Sequence, residues 1–120
     1  MAETGRGKLF TDDGVEYDGD YVDGIPHGKG KYKYVNGDVY EGDFVDGRPC
    51  GKGKYTHNNG DIFEGDFING KPHGKGKYSH SNGEVYEGDY TDGRRNGKGK
   101  MIYPDGKVEE GEWKEGEFAG

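Results

Sequence analysis

Three residues that bind soft metals stand at one spacing in this chain: His27, Cys50 and His73 are separated by 50 − 27 = 73 − 50 = 23 positions. Zinc takes all its ligands within roughly 2.0–2.3 Å of one ion, so the three serve it together only if the fold gathers them. Gly65-Asp66-Phe67-Ile68-Asn69-Gly70-Lys71 nearly spells a phosphate-cradling loop, but Pro72 stands where a Ser or Thr hydroxyl would hold magnesium. Asp18, Asp20 and Asp23 resemble the start of a calcium loop, yet Val22 fills the fifth ligand position and Lys29 the twelfth, where a bidentate Glu belongs. Cys50 as a nucleophile needs a base beside it in a concave site, and the sequence marks no such partner. Each constellation therefore depends on what element carries it.

The elements follow from the same 23-residue step, which runs through the whole chain. Tyr17-Asp18-Gly19-Asp20-Tyr21 recurs as Tyr40-Glu41-Gly42-Asp43-Phe44, Phe63-Glu64-Gly65-Asp66-Phe67 and Tyr86-Glu87-Gly88-Asp89-Tyr90. The chain divides into four units, 17–39, 40–62, 63–85 and 86–108, between an N-terminal partial repeat 1–16 and a C-terminal partial repeat 109–120. All 26 glycines fall on five register positions of the unit. A flexible linker would not hold that register, so each position answers a backbone or packing need.

Within a unit, Asp38 to Val45 alternates with period two, which puts Tyr40, Gly42 and Phe44 on one face and Glu41 and Asp43 on the other. Gly51 to His57 alternates likewise, with Tyr55 among the glycines and Lys52 and Lys54 opposite. Asp46-Gly47-Arg48-Pro49-Cys50 reads as a turn, and Asn58-Asn59-Gly60 as a three-residue hairpin loop. The chain is thus expected to be all-β: an elongated, twisted, single-layer antiparallel meander of about ten strands, roughly 45–50 Å long, with almost no helix. Two strands per unit set successive units about 9–10 Å apart. That separates His27, Cys50 and His73, which are expected to be loop residues like Asn96 in the same register. No metal, cofactor or catalytic residue is expected.

Composition raises the question of what such a sheet packs against. Hydrophobic residues make up 28% and the net charge is -7, which without compensation describes a disordered chain. The compensation is aromatic: 10 Tyr, 5 Phe and 1 Trp, each ring able to bury on the order of 150–250 Å² at low rotamer cost. The ring face is expected to be a core, with its rim left over as a groove for a partner. Its candidate residues are Tyr17, Tyr21, Tyr32, Tyr40, Phe44, Tyr55, Phe63, Phe67, Tyr78, Tyr86 and Tyr90. Trp113, near the end of the array, is the candidate for self-association into a homodimer.

Charge matching supports the register. If Tyr55 faces Phe63, then Lys54 faces Glu64 and Lys52 faces Asp66. Lysines interleaved with acids leave no continuous positive stripe, which argues against nucleic acid and weakens the case for an anionic lipid surface. A single cysteine cannot form an internal disulfide and fits a reducing compartment. The chain has no apolar run of about 20 residues, and Met1 to Gly5 lack a signal peptide's regions, so a cytoplasmic location is expected.

The unit Tyr-Glu-Gly-Asp-Phe, Asp-Gly, His-Gly-Lys-Gly-Lys-Tyr, Asn-Gly resembles the MORN repeat, over residues 5 to about 118. Two positions depart from it: Glu109 stands where an aromatic opens the unit, and Met101 replaces the lysine-strand tyrosine. The resemblance implies an elongated sheet of hairpins serving protein binding, dimerisation or membrane association. It points to a non-enzymatic scaffold for a protein partner, cytoplasmic and associated with a cytoskeletal or ciliary assembly. Phospholipid adaptation is the alternative. A small-ligand array for choline or glycan is a third reading, which Trp113 as the single tryptophan does not favour.

Overall fold

Alternating side chains and short turn sequences give this chain one way to satisfy its backbone, which is to pair each strand with the next. The computed structural model describes residues 4–10 and 14–120. The remainder of the N-terminal partial repeat, residues 1–3 and 11–13, lies outside the described residues, as does most of the stretch read for a signal peptide. The strands are β1 (Thr4–Phe10), β2 (Glu16–Val22), β3 (Ile25–Lys33), β4 (Val39–Val45), β5 (Arg48–Thr56), β6 (Ile62–Ile68), β7 (Lys71–Ser79), β8 (Val85–Thr91), β9 (Arg94–Ile102), β10 (Val108–Lys114) and β11 (Glu117–Phe118). They form one antiparallel sheet in sequence order, with extents of 52 × 27 × 18 Å. There is no helix among the described residues. Among the described residues the strands number eleven rather than about ten, because the C-terminal partial repeat adds the two-residue β11.

The register is the one charge matching requires. Tyr55 lies opposite Phe63, Lys54 opposite Glu64 and Lys52 opposite Asp66, and the same pairing recurs between β3 and β4 and between β7 and β8. Lys52 reaches Asp66 at 2.8 Å, and Lys29 and Lys75 pair with Asp43 and Asp89 in the same way. Exposed pairs of this kind contribute roughly 0.2–1 kcal/mol each, too little to hold the sheet together.

Two kinds of turn alternate. Within a unit the turn is only two residues long: Asp46 and Gly47 have φ of 50° and 82°, the doubly left-handed geometry of a tight hairpin. The segment Asp46 to Cys50 is therefore not a five-residue turn, because Arg48, Pro49 and Cys50 already belong to β5. His27, Cys50, His73 and Asn96 accordingly sit in strands β3, β5, β7 and β9, not in loops. Proline is tolerated in β5 because its carbonyl is what the sheet uses: Pro49 O accepts the Gly70 N–H of the following unit at 2.9 Å. Between units the three-residue loop forms as expected, closed by the His57 N–H to Asp61 O at 2.8 Å.

Beyond each tight turn the ladder slips. Gly42 faces Gly53, but the next matched pair is Phe44 with Pro49, so β5 carries extra residues opposite Asp43. The Lys52 N–H in this bulge donates to the Asp43 carboxylate at 3.3 Å, and Lys29 and Lys98 do the same with Asp20 and Asp89. Bulges increase local twist and coil a ribbon.

Coiling explains how a single layer buries aromatic rings. Tyr40 and Tyr86 are 0% exposed. The Tyr40 ring lies across the backbone of Gly53, where a Cβ would overlap its hydroxyl, and that hydroxyl donates to Asp43 O at 2.9 Å. Tyr17, Phe44, Tyr40, Phe67, Phe63, Tyr90, Tyr86 and Trp113 then touch edge to face in one zigzag, with centroids 5.0–5.4 Å apart. Burying such a ring is worth roughly 1.5–3 kcal/mol, and each edge-to-face pair adds about 0.5–1.5 kcal/mol. The rings, not the ion pairs, are what hold the ribbon.

Candidate interaction surface

Of the eleven candidate groove residues, the structure places seven inside this zigzag: Tyr17, Tyr40, Phe44, Phe63, Phe67, Tyr86 and Tyr90 are buried. Tyr21, Tyr32, Tyr55 and Tyr78 are half-buried. Tyr21 lies over Gly5 of β1, apart from the other three. Trp113 is also inside, its indole N–H donating to Gly99 O at 3.1 Å and the Arg95 guanidinium lying 5.1 Å from its ring. Opposite Tyr86, Met101 fills the place of the missing tyrosine and is buried.

The half-buried rings form a second row along the side of the three-residue loops. Tyr32, Tyr34, Tyr55, His57, Tyr78 and His80 follow one another at 4.8, 5.6, 4.7, 5.9 and 4.4 Å between centroids. Strand alternation makes the row: in each unit the lysine-strand tyrosine and the residue two positions on share a face. Tyr34, His57 and His80 were not among the candidates drawn from the sequence. Their signal was present, since an aromatic or His recurs at 34, 57, 80 and 103, but it lies in a segment read as leading into a loop.

Two carboxylates anchor this row. Asp38 accepts the Tyr55 hydroxyl at 2.8 Å, the Asn58 N–H at 2.8 Å and the Asn36 side-chain amide at 3.2 Å. Asp61 accepts the Ser81 N–H at 2.7 Å and the Tyr78 hydroxyl at 3.4 Å. His57 and His80 place Nδ1 3.8 and 3.7 Å from these carboxylates. Burial disfavours the charged form of Asp38, but the hydrogen bonds from Tyr55, Asn58 and Asn36, with His57 nearby, hold its carboxyl below the usual range. The Asp61 carboxyl is also lowered, first by the Ser81 N–H. Burial, and then the bond to Asp38, raise the Tyr55 hydroxyl above its ordinary value. The carboxylates thus tie each loop to the ring of the neighbouring hairpin.

The opposite face carries the lysines and acids. Open hollows lie on it above the glycines, one lined by Glu64, Lys75, Gly76, Lys77, Glu87 and Gly88. Among the described residues no group of three or more His, Cys, Asp or Glu is placed to hold a metal ion, and His27, Cys50 and His73 sit on separate hairpins.

With this geometry established, comparison with known families is decisive. The MORN repeat matches five consecutive segments, residues 17–39, 40–62, 63–85, 86–108 and 110–120. The chain belongs to the MORN repeat family. Comparison with curated proteins found no match. MORN repeats are generally associated with protein and membrane interaction, and in this MORN array the row of rings from Tyr32 to His80, outside the core zigzag, is left half-buried. No helix among the described residues is long and apolar enough to cross a membrane.

Proposed function

We propose that the chain is a non-enzymatic interaction scaffold that holds a segment of a partner protein along the row from Tyr32 to His80. The observation that carries this reading is the unbroken line of half-buried rings lying outside the core zigzag. Tyrosine and histidine at such a surface give large, stiff contact area with polar tips for hydrogen bonding. An extended or helical segment lying on it meets the same chemistry at each repeat, as in other repeat arrays that bind along their length. Repetition also argues against catalysis, because among the described residues no position gathers a nucleophile, a base and a pocket found nowhere else in the array. The assembly served is proposed to be cytoskeletal or ciliary in a cytoplasmic setting, on the family resemblance alone. A lipid surface ranks second because the lysines of the charged face are paired with acids.

A displayed peptide library selected on the immobilised chain tests the reading. Selected peptides are expected to lose about ten-fold or more in affinity for Tyr34→Ala/Tyr78→Ala, in line with loss of buried aromatic anchors, and to keep it for Lys54→Glu/Lys77→Glu. The reverse pattern would place the binding surface on the charged face and end the proposal.

A further inference from the structure

Granted the scaffold reading, on which this inference rests, a segment lying along the ring row must repeat at the spacing of the row. Each unit adds two strands, so equivalent positions recur about every 9.4–9.8 Å. Tyr32 and Tyr34, Tyr55 and His57, and Tyr78 and His80 form one ring pair per unit, with centroids 4.8, 4.7 and 4.4 Å apart, and the pairs join at 5.6 and 5.9 Å. A polyproline II helix has three residues per turn and a pitch of about 9.3 Å, so laid across the strands it makes one turn per unit and slips by at most about 0.5 Å. A β-strand returns to the same face about every 6.7 Å. Two turns of α-helix span about 10.8 Å. Both fall out of step with the three ring pairs.

The chemistry along the row repeats at the same step. Tyrosine-lined surfaces seat proline rings, and a polyproline II backbone has no internal hydrogen bonds, so its carbonyls are free to accept from phenol and imidazole groups. The loop side of the row adds negative charge. Residues 34–40, 55–63 and 78–86 each contain one carboxylate, Asp38, Asp61 and Glu84, and no Lys or Arg. Asp38 and Asp61 accept the hydroxyls of Tyr55 and Tyr78, which fixes each charge beside a ring pair. The lysines of the array lie on the opposite face of the strands, and the whole chain carries a net charge of -7. Each unit therefore offers two rings and one negative charge, a set that matches the three residues of one polyproline II turn.

We infer that the partner segment is a proline-rich polyproline II helix with Arg or Lys at every third position, laid across the strands along the ring row. Two residues of each turn rest on a ring pair, and the third, basic, leans toward the carboxylate of the loop. Because proline sets this conformation before contact, little chain entropy is lost on docking.

Fluorescence anisotropy of labelled peptides titrated with the full chain, at about 150 mM salt so that distant charges are screened, tests it. A peptide of four Pro-Pro-Arg triplets is expected to bind about ten-fold or more tightly than four Gly-Ser-Arg triplets, which carry the same charge without the helix. It is expected to exceed by a similar factor eight prolines followed by four arginines, which keep composition and helix but lose the register. Equal affinity for all three peptides reduces the contact to net charge and overturns the inference. Tyr34→Ala/Tyr78→Ala is expected to abolish the preference for the first peptide, and a preference that survives overturns it too. If circular dichroism shows that variant unfolded, amide shift changes on the wild-type chain locate the peptide instead: they are expected at Tyr34, His57 and His80, and changes confined to the lysine face refute the docking. The library selection separates the two readings, since ring-dependent peptides without a three-residue proline period sink the polyproline II partner and leave the scaffold standing, whereas ring-independent peptides end both.

Discussion

At the scale of single residues, the least conspicuous position in the unit is the most constrained. Gly53 looks like one glycine among many, but the Tyr40 ring occupies the space its Cβ would need. Gly53→Ala must push aside a fully buried ring or bend the strand, and overpacking of this kind costs typically 1–3 kcal/mol. A lower urea midpoint with unchanged slope is the expected result, and an unchanged midpoint would show that the ring does not lie on this backbone. Asp38 makes the opposite point, because it was read as the start of a strand and turned out to hold a loop and a ring together. Its folded pKa is lowered, so the stability it contributes is present above its unfolded value near 3.8 and is lost as pH falls through the folded one. Asp38→Asn keeps one acceptor but carries no charge. The variant is expected to be less stable at neutral pH, with a shallower fall in stability on acidification below the usual carboxylate range, measured by urea unfolding at several pH values.

At the scale of the element, strand faces and inter-unit register were legible because period-two alternation and charge matching are local facts of the sequence. What escaped was the interior of the hairpin. The string Asp46-Gly47-Arg48-Pro49-Cys50 reads as a long turn because proline usually breaks a ladder, and nothing in its composition says that the neighbouring unit needs only the Pro49 carbonyl. The bulge beyond it escaped for a related reason: the extra residues are compensated by the Asp43 carboxylate, a partner that charge matching had assigned to lysine alone. The tight turn itself makes a testable demand. With φ of 82° at Gly47 and the Ile25 side chain 3.2 Å from where a Cβ would sit, Gly47→Ala is expected to cost about 1–2 kcal/mol, the usual penalty for left-handed backbone at a residue with a side chain. Thermal unfolding at matched concentration checks it. Asp46 already adopts φ of 50°, so Asp46→Gly is expected to change stability by much less.

At the scale of the whole molecule, the ring zigzag was foreseeable in kind, since rings had to replace the missing aliphatic core, but its division into a buried row and a half-buried row was not. That division depends on coiling, which no single unit's sequence displays. One consequence is alkaline sensitivity. Burial raises the hydroxyl pKa of Tyr17, Tyr40, Tyr55 and Tyr90, among others, from an ordinary value of 10.0. Their stabilisation is complete below that value and lost as pH rises through the folded one. Phenolate absorbance is therefore expected to appear together with unfolding in one steep step above pH 10, and a gradual titration at the ordinary value would contradict a buried zigzag. The second consequence concerns modularity. Each strand touches chiefly its neighbours in sequence, so stability is close to a sum of unit and interface contributions. Removing residues 63–85 joins Ile62 to Tyr86, which occupies the register position of Phe63, and the ladder closes without a seam. The shortened chain is expected to keep its sheet signature and a continuous ring zigzag, with an unfolding midpoint below that of the full chain because the zigzag loses the two rings Phe63 and Phe67 and, once Tyr40 meets Tyr90, a net two of its contacts. Were the deletion to unfold the chain outright, the rings would have to be a single cooperative core and not a row of neighbours, and the repeat would describe the sequence without describing the energetics.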